Sequence, residues 1–270
     1  MGLLPTMQEA LNLTPEDEIR AELTQVIEWH ERNAPRSLQK ELGPSEVGHP
    51  CLRHLGYKFL DVPRCNTQFG RDVLPSALGS AFHARLEHHF LAENIRLGEE
   101  RYLTELRVEP WPGLTGSLDL YDLRRRAVRD WKILGDASFR KFKKAPSLTY
   151  RRQGQLYGRG MERAGYDVRE VSIVAIPKAG TLAGMHVYRE DYNPKVAEML
   201  EARWWEFVGN IDDFKAEQHP ERVHWLPTLT PDQADACRVC PWFDKNAAPG
   251  PDLTSTRCAG PTATAAAPAA

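Results

Sequence analysis

The chain has 270 residues, of which 41% are hydrophobic, and a formal net charge of -2. That length suffices for one large domain or two small ones with a real core. Its 20 prolines and 19 glycines are too few for a fibrous or wholly disordered chain. A mean hydropathy of -0.51 and the lack of any run of ~18–20 apolar residues speak against a membrane helix. The N-terminus has neither a basic region nor a long apolar region, so no secretory signal is expected and the expected location is cytoplasmic. Near-neutral charge excludes a generic nucleic-acid coat, but the average hides an asymmetry. From Arg124 to Arg152 there are eleven Lys/Arg against two acids, a local net charge of +9 on an acidic body. Such a patch suits either phosphate binding or a merely solvated face.

In chain order, Thr14 is a candidate N-cap, with Pro15 at the first helical position and Asp17 near capping-box spacing. Ile19, Leu23, Val26 and Ile27 then recur at helical spacing, which predicts a helix ending near Asn33. LRHLGYKFL (52–60) reads as a short helix inside an irregular stretch. A second long helix is predicted over about 76–94, with Leu78, Phe82, Leu86 and Phe90 on one stripe. Strands follow at 102–109, 114–121 and 126–133, the last two joined by a tight polar turn. Residues 146–164 are helical in pattern, anchored by Leu156 and Met161. Two further strands are expected at 170–176 and 183–189. A long helix capped by Asn193 then runs to about 215, docked by Trp204, Trp205 and Phe207. The Ala-rich tail is low-complexity and expected to be disordered. This order predicts an α/β fold, with a main domain over 41–260, an N-terminal helix within 1–40 and a tail at 261–270.

Chemistry concentrates in the middle of the chain. Asp119 lies in GSLD (116–119), while Asp130 and Lys132 lie in DWK. Positions i and i+2 of a strand face one side, so Asp130 and Lys132 project together with Trp131 buried opposite. Pairing of 114–121 with 126–133 brings Asp119 close to Asp130. Two such carboxylates repel unless a cation separates them, and a hard divalent ion such as Mg²⁺ or Mn²⁺ fits oxygen ligands. A lysine beside the metal would stabilise developing negative charge, as phosphodiester hydrolysis requires. His83 sits mid-helix upstream, and Gln153 and Tyr157 stand at i, i+4 downstream. A lone DxK is weak and a lone helical histidine is usually structural; their order carries more weight.

GxxxH, GxxD, DxK and QxxxY in this order resemble the RecB-type branch of the PD-(D/E)xK nuclease superfamily. The resemblance implies a restriction-endonuclease-like core, a central mixed sheet flanked by helices. It also implies one or two Mg²⁺ or Mn²⁺ ions on His83, Asp119 and Asp130, a catalytic Lys132, and support from Gln153 and Tyr157. DxK stands here where many relatives have ExK, a ligand one methylene shorter.

The five cysteines are Cys51, Cys65, Cys237, Cys240 and Cys258. An odd number in a chain read as cytosolic speaks against a disulfide framework. The CxxC at 237–240 with two other thiols suits zinc, an iron–sulfur cluster or no metal equally well on spacing. GPSEVGHPCLRHLGY (43–57) resembles the opening segment of iron–sulfur members of the nuclease branch, among them Cas-four exonucleases and their phage-type relatives. That resemblance spans about residues 40–260. It implies a structural 4Fe–4S cluster on Cys51, Cys237, Cys240 and Cys258. Cys65 is a rival fourth ligand, and the match around Cys51 favours Cys51, leaving Cys65 as an expected free thiol. The gap from Cys240 to Cys258 is longer than is typical of the group.

Beside these motifs, the basic residues suggest a track for single-stranded DNA or DNA ends. Arg124, Arg125 and Arg126 fall in the predicted turn, Arg140, Lys141, Lys143 and Lys144 follow DWK with Phe139 and Phe142 interleaved for stacking, and Arg151 and Arg152 come next. The expected activity is a metal-dependent DNA exonuclease. The alternatives are a structure-specific or CRISPR-adaptation endonuclease, or a zinc-bearing DNA-binding module without catalysis.

Overall fold

A computed structural model describes residues 14–34, 42–66, 72–230, 236–237, 239–247, 254 and 256–261. The expected disordered tail falls, beyond residue 261, outside the described residues. The chain divides into two units, one of residues 1–39 with 72–77 and one of residues 40–71 with 78–270. The first contains helix α1 (Pro15–Arg32), which carries the expected capping box between Thr14 and Asp17 and ends at Asn33.

The second unit is an α/β core. A five-stranded sheet has the order β1-β2-β3-β4-β5, formed by β1 (Tyr102–Trp111), β2 (Leu114–Asp122), β3 (Ala127–Leu134), β4 (Glu170–Pro177) and β5 (His186–Asp191). β3 and β4 are parallel and every other pair is antiparallel. The parallel step needs a crossover, supplied by α5 (Asp136–Lys144) and α6 (Leu148–Arg163). The remaining helices are α2 (Pro44–Val47), α3 (Leu52–Phe59), α4 (Leu74–Leu97) and α7 (Pro194–Asp213). Short 3₁₀ turns cover Leu182–Gly184 and Pro220–Trp225. This is the expected mixed sheet flanked by helices. No described helix is long and apolar enough to cross a membrane.

The site is framed by how the helices cover the sheet. Phe82, Leu86 and Phe90 of α4 pack on Leu120, Trp131, Val174 and Ile176. Phe90 stacks on Trp131 with ring centroids 5.6 Å apart. Tyr157 and Met161 of α6 pack on Val108, Leu118, Tyr121, Val128 and Val171. α6 approaches closely because Gly160 faces Val108, where a Cβ would stand 2.7 Å from the valine Cβ.

Several expectations need correction. Residues 136–144 form a helix, which the basic run disguised. Its Phe142 is 3% exposed and packs with Ile173 and Ala175, with Phe139 against the same cluster. Neither ring is a free stacking platform for DNA. Trp204 packs into the core, but Trp205 is 53% exposed and does not dock α7. Leu78, assigned to the buried stripe of α4, is exposed. β5 starts later than expected, since 182–184 form a 3₁₀ turn.

Candidate active site

β2 and β3 pair through Leu120–Arg129, Tyr121–Val128 and Asp122–Ala127. Just beyond Leu120 the Asp119 carboxylate enters the ladder. Its Oδ2 accepts the Trp131 backbone N–H at 2.7 Å. Its Oδ1 lies 3.1 Å from His83 Nδ1 of α4. Asp119 is therefore fixed at both oxygens, with a side chain only 10% exposed. Asp130 and Lys132 project together from β3, with Lys132 Nζ 2.6 Å from Asp130 Oδ2. Trp131 points the other way into the core, as strand alternation requires. On α6, Gln153 Nε2 donates to the Tyr157 hydroxyl at 3.1 Å, and both residues are buried. Tyr157 lies near enough to Asp130 and Asp119 for their charges, after burial itself, to raise its phenol pKa.

The electrostatics follow from this crowding. Burial pushes the Asp130 carboxyl up to about 6, with Asp119 adding to the push and Lys132 opposing it. Burial pulls Lys132 down, but Asp130 and Asp119 outweigh it, so its pKa rises and it remains an ammonium. Burial likewise lowers His83, and its hydrogen bond to the Asp119 carboxylate, with the charge of that carboxylate, more than reverses that. The Lys132 ammonium also lies 4.9 Å from the centre of the Tyr150 ring, a contact of cation–π type.

One residue escaped the sequence. Glu105 of β1 meets His83 and Asp119, with one ligand atom from each lying within 4.8 Å of the others. Thr104 pairs with Leu120 and Leu106 with Leu118, which leaves Glu105 opposite Asp119. Its φ is 48°, in the left-handed region that non-glycine residues occupy at a cost of ~1–2 kcal/mol. A strained position that brings a carboxylate to a carboxylate–histidine pair suits function better than stability. Glu105→Gly is expected to leave the thermal midpoint unchanged or raise it, while weakening Mn²⁺ binding at least about tenfold for a lost ligand. Calorimetry and Mn²⁺ titration check this. A lowered midpoint with unchanged Mn²⁺ affinity would make Glu105 a structural residue.

The motif glycines have different causes. At Gly116 a Cβ would stand 2.6 Å from Pro44 Cδ and 3.3 Å from the Tyr157 ring, so glycine lets α2 lie against β2 beside the site. Gly79 has nothing within 4 Å of its would-be Cβ, so packing does not demand it.

Cys51, Cys237, Cys240 and Cys258 lie in one region of the fold. Each of the six pairs among Cys51, Cys237, Cys240 and Cys258 is close enough for mutual electrostatic influence. Burial raises Cys237 to about 11 and Cys240 to about 12, and the neighbouring thiols add to both. Cys51 caps α3, its Sγ accepting from His54 N–H at 3.4 Å. Arg53 Nη1 lies 3.8 Å from Cys258 Sγ, and His54 Nδ1 lies 3.5 Å from Cys240 Sγ. Trp242 Nε1 donates to the Val62 carbonyl at 2.9 Å, tying the late segment to the early one. Cys65 is nearby, and its thiol is raised first by burial and then by Asp244.

The basic residues separate into groups. Arg140, Lys141, Lys143 and Lys144 are exposed on α5. Arg124 pairs with Glu99 at 2.9 Å, Arg126 with Asp167, and Arg151 with Glu190 at 2.7 Å. Arg125 is exposed in the β2–β3 turn, where its N–H donates to Asp122 at 3.1 Å. Arg152 Nη1 donates to the Gly48 carbonyl at 3.4 Å, beside the cysteine-bearing segment.

Fold and site together define an α/β protein with a carboxylate–histidine–lysine centre at the end of its β2–β3 hairpin. Solved structures similar to it include two exonucleases. An alkaline exonuclease of Laribacter hongkongensis aligns with a TM-score of 0.45 at 12% identity, covering 68% of this chain and 92% of its own. A phage-related exonuclease from Haemophilus somnus aligns with a TM-score of 0.45 at 14% identity, covering 62% and 82%. The Laribacter enzyme in complex with dAMP gives a TM-score of 0.38 at 15% identity, covering 68% and 97%. No family model and no curated protein sequence matches the chain.

Proposed function

We propose that the chain is a metal-dependent deoxyribonuclease that hydrolyses phosphodiester bonds from the ends of single-stranded DNA. The observation that carries this reading is the convergence of Asp119, His83 and the Asp130–Lys132 pair where β2 and β3 part. Asp119, Glu105 and His83 have ligand atoms within 4.8 Å of one another, a donor set suited to Mg²⁺ or Mn²⁺, with Asp130 beside them. His83, Asp119 and Asp130 would hold the ion, with Glu105 as a further ligand. When bound, the ion polarises the scissile phosphate and lowers the pKa of an attacking water.

The protein's own groups supply the rest. Lys132 is a cation, so it serves as a fixed positive charge for a phosphate oxygen that gains charge during attack, and not as a general base. Asp130 holds that ammonium in place. The Trp131 N–H and His83 lock the Asp119 carboxylate in one orientation, which spares reorganisation during the reaction. Tyr157 and Gln153 form a buried, hydrogen-bonded floor beside the carboxylates and act as positioning residues. Arg140, Lys141, Lys143 and Lys144 would attract the phosphate backbone, with salt-dependent affinity.

In this reading Cys51, Cys237, Cys240 and Cys258 would hold a 4Fe–4S cluster that joins the early and late segments. With four protein ligands it has no open coordination position, so it serves the fold and not the reaction.

Incubation with Mn²⁺ of a linear single strand and of a covalently closed single-stranded circle tests the activity. Loss of the linear strand alone, abolished by EDTA, is expected. Equal cleavage of the circle would make the enzyme an endonuclease, and no cleavage of either by folded, metal-loaded protein would refute the nuclease reading.

A further inference from the structure

The contact between Lys132 and Tyr150 leads to a cleft that the reading above does not use. Tyr150, in the first turn of α6, lies under the Lys132 ammonium and also lines a cleft of about 210 Å³. The other walls come from Leu134 at the end of β3, Ser138, Lys141 and Phe142 of α5, and Ser147, which caps α6. The cleft is therefore built on the crossover between the two parallel strands. Its entrance lies one aromatic ring away from the lysine proposed to meet the scissile phosphate.

Size and chemistry constrain the occupant. The volume is below the ~300–1,000 Å³ of a site for a drug-sized ligand, so it admits one ring system and not a folded chain. Leu134, Phe142 and Tyr150 give an apolar interior. Phe142 is fixed, since it is 3% exposed and packed on Ile173 and Ala175. Ser138, Lys141 and Ser147 put hydrogen-bonding groups and a positive charge at the exposed rim. A flat heteroaromatic ring joined to an anionic backbone matches this combination, because bases pack on aromatic side chains while cations follow the phosphates.

We propose that the cleft between α5 and the start of α6 receives one unpaired nucleobase of the strand being cut, packed on Tyr150 with Lys141 on its adjoining phosphate. The proposal rests on the nuclease reading and adds a physical source for its single-strand preference. A base inside a duplex cannot enter without being unstacked and unpaired, at a cost of a few kcal/mol. The residue that contacts the base would also contact Lys132, so filling of the cleft and alignment of the ammonium are coupled through one ring.

The test reads binding and needs no turnover. Fluorescence anisotropy in Ca²⁺ compares a labelled single strand with a set of strands carrying one abasic position each, moved stepwise along the chain. Against wild type, one abasic position is expected to weaken binding about 5- to 150-fold, the range for loss of one stacked base. Tyr150→Ala should weaken the intact strand by a similar factor and remove the sensitivity to that position. Tyr150→Phe, which retains the ring, should bind as wild type does. Ser138→Trp, which fills the cleft from its exposed rim, should reproduce the Tyr150→Ala result with Lys132 and Tyr150 both present. Affinities within twofold of wild type for Ser138→Trp and for every abasic strand would overturn the proposal. Binding and cleavage that persist without abasic sensitivity would remove the cleft alone. Absence of both binding and cleavage would remove the nuclease reading beneath it.

Discussion

Lys132→Ala is expected to reduce DNA cleavage by about a hundred- to a thousandfold, in line with the loss of a donor fixed on developing charge, while Mn²⁺ affinity changes little. The division between rate and binding follows from the geometry. Lys132 contacts Asp130 through one ammonium, at 2.6 Å, and is not itself a ligand. Asp119→Ala should differ. It removes the acceptor of the Trp131 N–H and the partner of His83, so both Mn²⁺ binding and cleavage should be lost. The carboxylate of Asp130 would then remain buried beside its lysine, and the fold should survive in both variants. Calorimetric Mn²⁺ titration beside single-turnover cleavage separates the cases. Lys132→Ala protein that cleaves at the wild-type rate would exclude Lys132 from the chemistry, whatever its metal affinity.

Cys237→Ser and Cys258→Ser are expected to give colourless protein whose thermal midpoint falls by at least about 10 °C. The reasoning is that of a cross-link. A link from Cys51 to Cys237 closes a loop of well over a hundred residues, which the chain-entropy model values at about 5 kcal/mol, and 1 kcal/mol shifts the midpoint of a chain this size by roughly 2–4 °C. The native contacts that remain would include the Trp242–Val62 hydrogen bond and the Tyr57–Trp242 stack at 5.4 Å, so loosening and not complete loss of fold is the expected outcome. Cys65→Ser is the control and should retain both colour and midpoint. Iron and sulfide analysis of the wild type separates a cluster from zinc. Serine variants as stable and as coloured as wild type would refute a ligand role for these thiols.

How much of this was legible in the sequence depended on the range of the interaction. Asp130 and Lys132 share a face because strand periodicity is local, and the short turn between 122 and 127 brought Asp119 to them. The capping box at Thr14 and the Asn193 cap needed only neighbouring residues. Glu105 was invisible because nothing in LTELRVE distinguishes it. Its place depends on a left-handed backbone and on the register of β1 against β2, both products of the folded sheet. α5 was missed because its apolar anchors are only Phe139 and Phe142, hidden among four basic residues. The sequence suggests those same rings as DNA contacts, whereas the β3–β4 crossover places them against Ile173 and Ala175. Gly116 stood out as a motif, but its reason, the approach of Pro44, lies more than seventy residues upstream. The meeting of Cys51 with Cys258 likewise followed from resemblance and not from spacing.

The DxK site is proposed to hydrolyse DNA. The most direct measurement is a time course of end-labelled linear single-stranded DNA with Mn²⁺, run for wild type and Lys132→Ala side by side, with folding checked by circular dichroism. Progressive release of label by the wild type and an intact strand with the variant are expected, and the position of the label gives the polarity of digestion. Equal digestion by both proteins, or an intact strand with both when each is folded and loaded with Mn²⁺, would contradict that role of the site.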